Sequence, residues 1–106
     1  MAFLGVSTEV SLLEAFNFPN PFGESTAFHY TLDGGVQSAQ VTIFSLRGRK
    51  IATLIGSTLR GENVLTWDGR DQDGDRVANG VYFYKLRIET FDGRTLERTD
   101  RLARVR

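Results

Sequence analysis

Four aspartates crowd one short stretch of this chain: Asp68, Asp71, Asp73 and Asp75. Carboxylates gathered on one loop can wrap a hard cation such as Ca²⁺. The run Asp71-x-Asp73-x-Asp75 opens like an EF-hand loop, but Arg76 stands where that loop needs Gly, and its twelfth position is Tyr82 rather than Glu. Aspartates also close turns with their own side chains, and Gly69, Gly74 and Gly80 can supply the positive φ such turns use. Turn architecture is therefore the preferred reading. No cofactor is expected, and Ca²⁺ is the one ion the loop could take.

Little else suggests catalysis. His29 is the only histidine, and it sits on the less apolar side of its strand with no Ser or Asp at triad spacing. With no cysteine there is no thiolate nucleophile, no disulfide framework and no Cys-based zinc site. No pair of carboxylates stands out for glycoside chemistry. The chain is read as not an enzyme.

Two further groups could bind a partner. Trp67, Phe83 and Phe91 could form an aromatic platform for sugars, although Trp67 and Tyr82 are expected in the core, with the Tyr82 hydroxyl tied to loop backbone. Arg94, Arg98, Arg101, Arg104 and Arg106 make the end of the chain basic. Such charges either discourage edge-to-edge strand pairing or form a docking surface for a protein or an anionic glycolipid.

The elements that would position these groups are short strands. Phe28, Tyr30 and Leu32 alternate with His29 and Thr31, and Ala39, Val41 and Ile43 do the same within Ser38–Ser45. Further strands are expected over Lys50–Ile55, Asn63–Trp67 and Val81–Glu89, with Tyr82, Tyr84, Leu86 and Ile88 on one face. Asp33-Gly34-Gly35, Leu46-Arg47-Gly48-Arg49 and Phe91-Asp92-Gly93-Arg94 mark turns. In the last strand, Thr95 to Val105, the residues Leu96, Leu102 and Val105 cannot share one face, so a bulge is expected around Thr99–Arg101. Glu9–Phe16 is the only stretch that could form a short helix, which Pro19 and Pro21 would stop. Otherwise the N-terminal segment supplies a seventh strand. Phe18 and Phe22 are expected to plug one end of the core. The class is all-β, an antiparallel sandwich of six or seven strands.

At 106 residues the chain has room for one core. Thirteen basic and thirteen acidic residues cancel, so it lacks the field that nucleic-acid binding needs. No apolar run approaches the roughly 20 residues that span a bilayer, and no membrane insertion is expected. Met1–Glu9 has no basic n-region and does not read as a signal peptide. The chain is then either cytoplasmic or a domain taken from a longer exported protein.

Phe18-Pro19-Asn20-Pro21-Phe22, the Gly48 hairpin, Trp67-Asp68-Gly69-Arg70-Asp71 and Asn79-Gly80-Val81-Tyr82 with Phe83-Tyr84 follow one another in order. In these motifs residues 17–106 resemble the β-sandwich shared by type IX secretion sorting domains and the Ig-like domain of flagellar hook-capping proteins. Two departures stand out: Leu46-Arg47-Gly48-Arg49 replaces the family's Leu-Gly-Arg, and the final strand is more charged and less apolar. The resemblance implies a single Ig-like sandwich over 17–106, with 1–16 as a linker or first strand. It also implies a non-catalytic C-terminal module of an exported Gram-negative protein. Its partners would be the sorting machinery and an upstream cargo domain, and its location the periplasm in transit, then the cell surface or medium. Carried over by motif, the recognition residues would be Gly80, Tyr82, Arg101, Leu102, Arg104, Val105 and Arg106. The rival functions are an assembly module that packs against neighbouring subunits and an extracellular carbohydrate- or cell-surface-binding module.

Overall fold

The computed structural model describes residues 9–106, so the Met1–Glu9 segment discussed above lies outside the described residues apart from Glu9. Regular structure among these residues is entirely strand: β1 Leu12–Phe18, β2 Thr26–Leu32, β3 Ser38–Ser45, β4 Lys50–Ile55, β5 Gly61–Trp67, β6 Gly80–Glu89 and β7 Thr95–Arg104. They form two antiparallel sheets, ordered β1-β2-β5 and β4-β3-β6-β7. Among the described residues no helix is long and apolar enough to cross a membrane.

The sheets face each other across a core that period-two alternation builds. β2 and β5 contribute Phe28, Tyr30, Leu32 and Trp67, while β3 and β6 contribute Val41, Ile43, Tyr84, Leu86 and Ile88, all buried. The Phe28 and Tyr84 rings meet between the sheets at 4.8 Å in a tilted arrangement.

Three expectations change. Leu12–Phe18 is a strand and not part of a helix: a helix that short is a poor nucleus, whereas the strand gains a ladder on β2 from Leu12↔Leu32 to Phe18↔Ala27. β7 pairs with β6 without a bulge, from Gly80↔Arg104 to Glu89↔Thr95. Unbroken alternation turns Leu96, Leu102 and Arg104 inward, and Val105 lies beyond the strand, exposed. The apolar pattern misleads because the inward residue is an arginine. Finally, Phe22 is buried as expected, whereas Phe18 faces solvent at 68% exposure.

The tyrosines of the core fix one solution property. Tyr30 donates to Ser57 O at 2.6 Å and Tyr82 to Ala78 O at 2.6 Å, the latter a corner that ties the start of β6 to the loop before it. The Tyr84 hydroxyl is buried without a partner among the described residues. Burial raises all three phenols above their ordinary value of 10.0; Tyr84 is pushed up to about 12, with the Asp100 carboxylate adding to the rise. The folded state therefore holds the neutral phenols, a contribution complete below pH 10 and lost as pH climbs through the raised values. In an alkaline titration, phenolate absorbance is expected to appear together with loss of the β-sheet circular dichroism signal. Phenolate formation near pH 10 in a still-folded protein would contradict this placement.

Candidate functional site

The acidic loop joins β5 to β6; Asp68 and Asp71 bond its own backbone, while Asp73 and Asp75 are exposed. Asp71 Oδ1 accepts the N–H groups of Asp73 at 2.9 Å and Asp75 at 3.0 Å, while Asp68 Oδ1 accepts that of Arg70 at 3.1 Å. Arg70 Nη1 reaches back to Gly74 O at 2.8 Å, and Gln72 N donates to Ile51 O at 3.1 Å, fastening the loop to β4. Gly69, Gly74 and Gly80 all take positive φ. Among the described residues no three His, Cys, Asp or Glu side chains gather as a metal ion would require.

The centre of this end of the sandwich is Arg104, fully buried. Its Nε donates to Gly23 O at 2.9 Å, and its Nη1 to Gly69 O at 2.9 Å and Val77 O at 3.0 Å. One guanidinium thus joins the segment before β2, both ends of the acidic loop, and β7. It lies 5.7 Å from the centroid of the Phe22 ring, which in turn meets Trp67 at 5.5 Å. Trp67 Nε1 donates to Arg70 O at 2.9 Å. Gly69 must be glycine here: its φ is +74°, and a Cβ would lie 3.0 Å from both Arg104 Nη1 and Glu24 O.

The Asn20-Pro21-Phe22 segment covers part of the outer edge of β7. Phe22 N donates to Ala103 O and Val105 N to Phe22 O, both at 2.9 Å. The Asn20 side chain accepts from Ala103 N at 3.1 Å and donates to Arg101 O at 3.2 Å. By the two-residue period, Thr95, Glu97 and Thr99 present N–H and C=O groups along the same edge, with no partner among the described residues. Arg98 and Asp100 flank that open stretch on the core-facing side of β7, and both are exposed.

The seven residues carried over as recognition determinants therefore divide. Gly80, Arg101, Val105 and Arg106 are exposed, and Arg106 pairs with Glu24 at 2.8 Å. Tyr82, Leu102 and Arg104 point inward and hold the fold. Of the basic residues, Arg104 is thus no part of a docking surface, and Arg94 is tied to Asp92 at 3.1 Å and to Val10 O at 3.0 Å. Of the aromatics offered for sugars, Trp67 is buried between the sheets, Phe83 is half-buried on the outer side of β6, and Phe91 is exposed on a turn. His29 stacks on Phe16, the rings 4.8 Å apart and 5° from parallel. Sequence reasoning missed the burial of Arg104 and the edge cover by Asn20. The first had a signal: Arg104 is in phase with Leu96 and Leu102.

Comparisons with known proteins agree with this architecture. No curated protein matches the chain. Dimeric latent PorU from Porphyromonas gingivalis is similar in structure, with a TM-score of 0.75 and 21% identity over 95% of this chain and 10% of PorU. CopC from Methylosinus trichosporium OB3b is similar with a TM-score of 0.58 and 19% identity, covering 91% of this chain and 93% of CopC. At these identities the likeness is one of fold. The family model of the FlgD Ig-like domain matches residues 20–92, from the proline-rich segment through β6 into the turn after it. With most of its length matched, the chain belongs to the FlgD Ig-like domain family.

Proposed function

We propose that this domain is a non-catalytic recognition module of an exported bacterial protein, a type IX sorting or surface-attachment signal that its partner reads as a folded sandwich. The observation that carries this reading is the way β7 is held. Leu102 and Arg104 are drawn into the fold, leaving Arg101, Val105, Arg106 and the open edge at Thr95–Thr99 on the surface. A reader of the unfolded peptide would lose that display; a reader of the fold meets strand edge and side chains together. The partners in this reading are the secretion machinery and a cargo domain of the same polypeptide, met in the periplasm and then at the cell surface. The acidic loop serves as turn architecture.

Joined to a periplasmic reporter in a type IX-competent host, the domain is expected to carry the reporter to the surface or medium. Retention in the periplasm, while a known sorting domain exports the same reporter, would sink the proposal. A second reading, an assembly module that packs against neighbouring subunits, draws support from the hook-cap family match itself. A hook-cap partner domain in the parent polypeptide would favour it.

A further inference from the structure

The outer face of the three-stranded sheet breaks the usual rule that a solvated sheet face is polar. Its cross-strand rows read Phe18–Ala27–Thr66, Phe16–His29–Val64 and Glu14–Thr31–Glu62. Phe16 and Phe18 on β1 and Val64 on β5 are 43%, 68% and 57% exposed, with His29 and Ala27 of β2 between the two edges. Beside it, a depression of about 130 Å³ lies among Glu14, Phe16, His29, Thr31 and Glu62.

The carboxylates set the charge of whatever covers this face. Glu24, Glu89 and Glu97 are each paired with an arginine, but Glu14 and Glu62 have no ion pair among the described residues. They flank Thr31 from both sides in one row. No Lys or Arg stands in any of the three rows, so no ammonium or guanidinium is there to hold a phosphate. The depression is well below the roughly 300–1,000 Å³ of small-molecule pockets and suits a side-chain head group.

We infer that this face docks an extended protein segment that carries one basic and two apolar residues at every second position, so that all three side chains point to the same side. An Arg or Lys head group enters between Glu14 and Glu62 beside the Phe16 ring, and the partner's apolar side chains cover Phe16, Phe18 and Val64. Charge attraction and the aromatic face both favour a cation at that point, and the surrounding apolar contacts keep water from it. This surface is on the opposite sheet from β7 and does not depend on the sorting proposal.

The test is a titration of the isotope-labelled protein with a blocked pentapeptide that has arginine first, valine third and fifth and serine between, against a counterpart with glutamate in place of arginine. Saturable amide shifts centred on Phe16, His29, Thr31 and Glu62 are expected with the arginine peptide alone. The double variant Glu14→Gln, Glu62→Gln should bind it about tenfold more weakly, with the melting curve unchanged because both residues are exposed. Equal shifts with the glutamate peptide, shifts centred on another face, no saturable binding, or full affinity in the double variant would each overturn the inference. So would saturation of the same amides by an uncharged oligosaccharide, which would assign the face to glycan.

Discussion

Replacing Arg104 with Ala is expected to lower the unfolding free energy by about 3–5 kcal/mol, because buried carbonyls lose a charged donor and the large side chain leaves a cavity. Three carbonyl oxygens, of Gly23, Gly69 and Val77, lose their donor at once. A buried acceptor left unsatisfied costs about 1–3 kcal/mol, so the sum stays in that range even if water reaches some of them. The contact with the Phe22 ring is lost as well. For a domain of this size the melting temperature should fall by roughly 15 °C or more. Arg104→Lys keeps the charge but not the planar fork that reaches separate carbonyls, and its loss should be intermediate. A melting curve within a few degrees of wild type for Arg104→Ala would show that the guanidinium is dispensable.

Trp67→Ala should be comparably severe, about 3–5 kcal/mol, because the indole is almost fully buried against Phe22 and its removal leaves a large cavity. The variant also removes the bond from Trp67 Nε1 to Arg70 O, which anchors the acidic loop. Since Trp67 and Arg104 both pack on Phe22, the two losses should not add. A double-mutant cycle read by urea denaturation is expected to give a coupling of at least about 0.5 kcal/mol. Additivity within error would mean that the two sides of Phe22 act independently.

Both effects fall on residues to which the sequence assigned different roles. Trp67 was legible as core because it ends an alternating strand and is large and apolar. Arg104 was not, because arginine is among the residues least often buried, and Arg101 and Arg106 close by make the segment read as basic surface. Its environment is contributed by Gly23, 81 residues away, and Gly69, 35 residues away. The covering of β7 by Asn20 is another long-range event, 81 residues from Arg101. The exposure of Phe16 was not legible because Glu9–Phe16 offered itself as a short helix, and a helix assigns no outward sheet face.

What the sequence determined by itself was local. The bounds of β3 and β4, the inward face of β2 and β6, the Asp-capped and Gly-permitted turns, and the Tyr82 tie to loop backbone all follow from period-two alternation and turn chemistry within a few residues. What only the tertiary structure decided was which groups meet. It turned Leu12–Phe18 into an edge strand by giving it a partner, drew one arginine of a basic strand into the core, and left part of the β7 edge open. It also separated the structural members of the recognition set from those that remain on the surface. The physical reason is range: a strand's pattern is set by its own neighbours, whereas burial of a charge depends on whether distant carbonyls converge to satisfy it.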